Sequence, residues 1–369
     1  MLIGSLDLKN PLCLAPLAGV TTLPVREFFS YLGAGVTHTE MISCAGLIRN
    51  NEKTFDMLKT SEHEAPLVVQ LFAPNEKILL GGAEKILSLN LKTTTPPASL
   101  RVSMAPSAPC EGGEGHEVAR GFSLATTPPA SLRSATSPYT REARCKEKEL
   151  TSPPFAAFGI NMACPMPKIT KNFCGAALLK RPETAFSMTK NLKALKKFPV
   201  WVKIRKLEKD SDTLNFIELL AKAGADNICI HGRTAAQRYE GQADKKILEL
   251  AAKNFPGLIS ASGDVKTLSD IQEYFSFGCV AIMLARGAIA NPFLFEEARG
   301  VSRDFNERLE ILINFAKRAE EISGEHKAII LMKRFAPPML KSFQGCAEKR
   351  NLICTSTSLN EIIKILRGN

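Results

Sequence analysis

"PVWVKIRKLEKDSDTLNFIELLAKAGADNICIHGR", residues 199–233, holds the pattern that decides the fold. It opens with an unbroken apolar run, PVWVKIR at 199–205, and closes with a second, NICIHGR at 227–233. Between them, TLNFIELLAKAGA places apolar residues three and four apart, the spacing of a helix with one buried face. Runs without polar alternation belong to strands covered on both sides, as in a parallel sheet. The stretch therefore reads as strand, helix, parallel strand.

The same rhythm extends in both directions. Upstream lie LCLAPLAG at 12–19, VTHTE at 36–40, PLVVQLF at 66–72 and FGINMA at 158–163; downstream lie LISASGD at 258–264 and VAIMLAR at 280–286. Eight such runs, most separated by helix-like segments such as KKILELAAKNF, predict an α/β chain folded as a (β/α)8 TIM barrel. An open doubly wound sheet is the alternative. With 369 residues and 45% apolar content, the chain is long enough for a barrel of roughly 250 residues and an appendage.

Two regions break the rhythm. Residues 92–154 turn to Thr, Pro, Ser, Ala and Gly, and TTPPASLR occurs at 94–101 and again at 126–133. Paired prolines cannot continue a helix or a central strand, so this low-complexity insertion is expected to be disordered or loosely attached. It joins a helix to a strand and should leave from the barrel face opposite the site, where a long loop costs little closure entropy. After Phe295 the pattern is helical to the end, with six Lys/Arg and one acid within 327–350. The expected organisation is barrel at 1–91 and 155–296, insertion at 92–154 and helical domain at 297–369.

The formal charge of +11 suggests a polyanionic partner. Ten cysteines are scattered with no C-x-x-C pair and no Cys/His cluster, which argues against a zinc or iron–sulfur site and for a reducing, cytoplasmic setting. Asp7, Lys9 and Asn10 interrupt the first apolar run before it resembles a leader, and no window approaches the roughly 18 apolar residues of a membrane span. A monomer without metal or membrane is expected.

Chemistry in such a barrel gathers where strands end. Those ends carry Ala18 and Gly19, Glu40, Gln70, Asn161 and Cys164, Lys203 and Arg205, His231 and Arg233, Gly263 and Asp264, and Arg286.

These residues sit inside LAPLAGVT, VQLF, GINMACPMPKI with the following GAAL, VKIR, HGRT, SGD and ARGA. In order and rough spacing the chain resembles the tRNA-dihydrouridine synthases, closely over about 10–295 and more loosely in the tail. The resemblance implies FMN in the barrel mouth, NADPH as electron donor, tRNA held by the helical domain, and reduction of the C5=C6 bond of selected uridines. It assigns Cys164 as the acid that protonates C5, since a thiol near its ordinary pKa of about 8.5 is protonated at neutral pH.

By the same resemblance, Pro16, Leu17 and Ala18 would lie against the flavin ring, with both amide groups of Gln70 at its edge. Lys203 and His231, placed at the ends of the fifth and sixth strands, would face its N1 and C2 oxygen region. Ser262, Gly263, Asp264, Ala285 and Arg286 would bind its phosphate. Asn161 would hold base or flavin. Arg205 and Arg233 would meet RNA phosphate, as would Lys333 and Arg334 in the basic tail. Ala163, Ser262 and Ala285 depart from the family's usual Gly, Asn and Gly. An FMN-dependent barrel oxidoreductase acting on a small molecule is the alternative function.

Overall fold

The computed structural model describes residues 2–3, 6–89, 92–95, 146–149, 155–341 and 346–368. Among the described residues eight parallel strands form the barrel: β1 Leu12–Leu14, β2 Thr37–His38, β3 Leu67–Phe72, β4 Phe155–Met162, β5 Val200–Arg205, β6 Asn227–His231, β7 Ile259–Ser262 and β8 Ala281–Leu284. A further two-residue strand, Ile42–Ser43, pairs parallel with the end of β3. The eight are hydrogen-bonded in the order β1-β8-β7-β6-β5-β4-β3-β2. A bridge between Cys13 and Val36 joins the two ends, reinforced by the Leu14 N–H donating to the Val36 carbonyl at 2.9 Å. The predicted barrel is the observed one.

Helices on the outer face connect the strands: α1 Leu23–Tyr31, α2 Glu76–Leu87, α3 Pro182–Ala194, α4 Asp210–Lys222, α5 Lys245–Asn254, α6 Leu268–Ser276 and α7 Arg286–Ala290. Two five-residue helices, Cys44–Ile48 and Glu52–Asp56, follow β2. Local chemistry sets the boundaries. Asp244 caps α5 by accepting the N–H groups of Lys246 and Ile247, and Thr267 with Asp270 forms a reciprocal capping box on α6. At the end of α4, Gly224 takes φ +90°, a conformation that costs glycine little and turns the chain into β6.

Alternation along the strands separates two cores. On β5, Val200, Val202 and Ile204 pack outward against helices, while Trp201 belongs to the inner cluster and Lys203 and Arg205 line the mouth. The inner cluster, with Ile3, Leu8, Val68, Ala157, Trp201 and Ala281, fills the barrel from its N-terminal end. Thus the apolar runs are apolar because of their outer face; their inner face changes from packing residues to polar groups toward the mouth. The runs also outlast the strands, which stop at Leu14, His231, Ser262 and Leu284. Residues after those points form the loops of the mouth.

The tail folds as α8 Phe305–Ser323, α9 Glu325–Leu340, α10 Ala347–Thr355 and α11 Leu359–Arg367. Its apolar core is continuous with that of the barrel. Phe28 of α1 stacks on Phe315 of α8 at 4.3 Å between centroids, and Phe335 of α9 meets Phe315 edge-on at 5.6 Å. Such pairs add about 0.5–1.5 kcal/mol beyond area burial. Arg318 of α8 grips the buried carboxylate of Glu27 through two bonds, at 2.9 and 3.2 Å.

Within the insertion, Lys92–Thr95 and Lys146–Glu149 pair as an antiparallel ribbon, so order exists at its base. The disorder expected for 96–145 and 150–154 concerns positions outside the described residues. No helix among the described residues is long and apolar enough to cross a membrane.

Candidate active site

β4 ends on an inward-facing amide. Asn161 is buried, and its Oδ1 accepts the backbone N–H of Ala163 at 3.2 Å and of Cys164 at 2.9 Å. This local bond bends the chain as it leaves the strand. Asn161 Nδ2 donates to Gln70 Oε1 on β3 at 2.8 Å, so the turn is also tied to a neighbouring strand. From the other side, Ala176 N–H donates to the Cys164 carbonyl at 2.9 Å. The chain can come that close because residue 175 is Gly, at φ +60°; a Cβ there would lie 2.6 Å from the Cys164 carbonyl oxygen. Cys174 is buried, with its thiol donating to the Asn172 carbonyl at 3.2 Å.

Over the mouth lies a cleft of about 420 Å³, inside the roughly 300–1,000 Å³ range of small-molecule sites. Pro16, Leu17 and Ala18 contribute the loop after β1, and Gln70 comes from β3. Asn161 and Cys164 line it from the end of β4, Lys203 and Arg205 from β5, and His231 from β6. Ser262, Gly263 and Asp264 follow β7, and Ala285 and Arg286 follow β8. Arg233, Lys333 and Arg334 are outside this lining.

The cleft's cations differ in how well they are satisfied. Lys203 lies inside β5, two residues short of its end, one layer deeper than its expected place at the strand end. Its Nζ is 3.6 Å from the Cys229 thiol and forms no ion pair with a carboxylate among the described residues. Burial pulls its pKa below the usual lysine value. By contrast, Arg205 Nε donates to the Ala163 carbonyl at 2.8 Å, and Nη1 donates to the carbonyls of Thr234 and Arg238 at 2.9 and 2.7 Å.

Arg233 is equally committed. Its Nε donates to the Glu240 carbonyl at 3.0 Å, and Nη2 donates to the Gly241 carbonyl and to Asp264 Oδ2, each at 2.6 Å. Both arginines are 2% exposed, which corrects the expectation that they reach out to RNA phosphate: their guanidiniums fasten the loops of the mouth. The Asp264 carboxylate is likewise occupied, by Arg233, by the Ala243 N–H at 2.8 Å and by Arg286 at 3.3 Å. Any contact it offers a phosphate must come from its backbone, since two anions repel.

His231 is neutral. Burial, then the charges of Lys203, Arg205 and Arg233, push its pKa down to about 2. Arg233 Nη1 lies 3.4 Å from Nε2, and because arginine only donates, the ring proton sits on Nδ1. The Cys164 thiol is pushed up by burial, against the opposing pull of the Met166 N–H and the Arg205 charge. It is half-buried and protonated at neutral pH. Gln70, expected to use both amide groups on a ligand, has its carbonyl engaged by Asn161; only its Nε2 remains without a partner among the described residues.

Sequence reasoning missed Tyr239. The residue is 53% exposed and lines the cleft, and its ring centroid lies 5.5 Å from the Arg205 guanidinium carbon and 5.3 Å from that of Arg286. One signal was available: an aromatic in the polar loop AAQRYEGQ between β6 and α5. Away from the cleft, Arg334 of α9 donates to the Gly19 carbonyl at 2.9 Å, and the Gly19 N–H donates to Glu40. The basic tail thus touches the rim through the loop after β1.

Known proteins share this arrangement of sequence. The family model described as dihydrouridine synthase matches residues 13–91 and 154–360, leaving out the insertion. A probable tRNA-dihydrouridine synthase of Aquifex aeolicus is 25% identical, covering 96% of this chain and 95% of its own length. The tRNA-dihydrouridine synthase B of Pasteurella multocida is 23% identical, covering 100% of this chain and 95% of its own. Among solved structures, morphinone reductase aligns at a TM-score of 0.43 and 12% identity over 82% of this chain and 89% of that one. With barrel and tail both matched and the interruption falling on the insertion, the chain belongs to the dihydrouridine synthase family.

Proposed function

We propose that the protein reduces the C5=C6 bond of uridines in tRNA, with FMN held in the cleft and NADPH as electron source. The observation that carries this reading is Cys164, a half-buried thiol kept protonated at the lip of the cleft and fixed at its backbone by Asn161. Bound there, FMN would supply hydride to C6 of the uracil. C5 then needs one proton, and the Cys164 thiol is the acid placed to give it.

The residues present fit such a cofactor. Small side chains at Ala18, Ala163, Ser262 and Ala285 leave room for a flat ring, and the departures from the family's usual residues at the last three remain small. Lys203, an ammonium without a carboxylate, suits the side of the ring that gathers negative charge. Gln70 Nε2 and the neutral His231, with its proton on Nδ1, add donors without adding charge. The backbone at Gly263 and Asp264, with Arg286 at the rim, suits a phosphate. Arg205 and Tyr239 wall the side shared with Cys164, where a uracil would enter after leaving its stack in the RNA.

The tail at 297–369 is read as the tRNA-binding domain, with Lys333 and Arg334 on the helix nearest the rim. We place the activity in the cytoplasm, in a monomer. The test is direct: purified protein is examined for bound FMN and supplied with NADPH and unmodified tRNA, and dihydrouridine is mapped in the product. A colourless protein that takes up no FMN would end this reading.

A further inference from the structure

Beneath the cleft floor lies a second, smaller void, lined by His38, Gln70, Gly159, Trp201, Lys203 and Cys229 among others. Gln70, Lys203 and Met283 line both spaces and so separate them. Its volume is about 10 Å³, at the lower limit of roughly 10–15 Å³ that admits one water molecule.

Among the described residues, one buried polar atom lining this void has no hydrogen-bond partner, and a ring nitrogen beside it has none recorded. Trp201 is 4% exposed, and its indole Nε1–H, a donor only, is unsatisfied. His38 is 2% exposed, and its Nδ1 lies 2.8 Å from the Leu14 carbonyl oxygen. A carbonyl only accepts, so Nδ1 carries the proton and Nε2 is a bare acceptor, without a partner among the described residues. The His38 and Trp201 rings are 6.0 Å apart between centroids and tilted by 54°, and both line the same small void. A third group has unused capacity: among the described residues, Lys203 Nζ has only the Cys229 thiol at 3.6 Å.

We propose that one water molecule occupies this void, accepting protons from Trp201 Nε1 and Lys203 Nζ and donating one to His38 Nε2. Three bonds match the usual number made by buried water. A metal cation is excluded by the indole N–H and the ammonium, both of which present positive charge to the void. The consequence for the barrel is that Lys203 is anchored from below, through water, by Trp201 and His38, neither of which lines the cleft. This inference concerns the barrel interior and does not depend on the reaction proposed above.

Trp201 is the only tryptophan in the chain, so a single indole signal reports on the void. In the full-length, 15N-labelled protein we expect one indole N–H resonance with a dipolar cross-peak to water. Its ultraviolet resonance Raman band should take the position of a hydrogen-bonded indole. A free-indole band without a water cross-peak would overturn the proposal, and this measurement needs no variant. His38→Gln, which keeps an acceptor, should retain the cross-peak, and His38→Leu should lose it; its persistence in a folded His38→Leu protein would remove His38 from the site. Lys203→Met should weaken the cross-peak by shortening the water's residence, and unchanged intensity would remove Lys203.

Discussion

Asn161 Oδ1 lies 2.9 Å from the backbone nitrogen of Cys164, and the same side chain's Nδ2 lies 2.8 Å from Gln70 Oε1. One amide thus sets the direction of the thiol-bearing loop and ties it to β3. Replacing Asn161 by Ala strands the Ala163 and Cys164 N–H groups and the Gln70 carbonyl. Each buried orphan costs about 1–3 kcal/mol, so a clear fall in the unfolding temperature is expected. Asn161→Asp keeps the acceptor but sets a carboxylate oxygen against Gln70 Oε1, and it should also lose product formation. A wild-type melting curve for both variants would show that the loop is held by other means.

Cys164→Ala is expected to keep bound flavin and NADPH oxidation while dihydrouridine formation falls by about 10²–10⁴, the usual contribution of a positioned acid. Full product yield would make the thiol structural.

The pH dependence follows from the two shifted groups. Cys164 works in its protonated form, and burial raises its pKa. Activity should therefore hold through neutral pH and fall only above the ordinary thiol range. His231, with its pKa pushed down to about 2, stays neutral over the whole working range and adds no acidic limb. A product-formation profile that falls between pH 6 and 7 would contradict the neutral imidazole.

Asp264→Ala should destabilise the mouth by about 3–5 kcal/mol, because it leaves the Arg233 guanidinium buried beside an empty position. The measurement is denaturant unfolding, with midpoint and slope both recorded. If stability is unchanged and only salt-sensitive tRNA binding is lost, Arg233 would regain the phosphate role that its burial denies it.

The barrel was legible because outward-facing residues such as Val200, Val202 and Ile204 make each strand an apolar run, and the intervening helices have an unmistakable period. Most cleft residues were legible because a barrel strand's C-terminal end is a fixed address, so the order of motifs places Gln70, Asn161 and His231 around one mouth. What a sequence does not carry is whether a polar group is already satisfied. Arg205 and Arg233 read like free cations and prove to be fasteners, since their carbonyl partners at Thr234, Glu240 and Gly241 leave no mark in side-chain identity. Tyr239 was missed for the opposite reason: it lies in a loop, where no periodicity points at a residue. Lys203 was placed one layer too shallow because an apolar run does not reveal where its hydrogen bonding stops.

The basic face of α9 gives the last test, since its two neighbours should behave differently. Lys333 is bound to no carboxylate among the described residues, whereas Arg334 holds the Gly19 carbonyl of the loop after β1. If both meet tRNA phosphate, removing either charge should lower the slope of log affinity against log salt by about 0.7–0.9 for each phosphate no longer neutralised. Lys333→Ala should then raise KM for tRNA and leave kcat nearly unchanged, because only uniform binding is removed. Arg334→Ala also frees the loop that carries Pro16, Leu17 and Ala18 along the cleft. It should therefore raise KM and lower kcat together, and Arg334→Gln, which keeps a donor to Gly19, should recover kcat without recovering the salt slope. Equal effects of the two alanine variants on kcat would show that the bond between tail and rim does not reach the reacting groups.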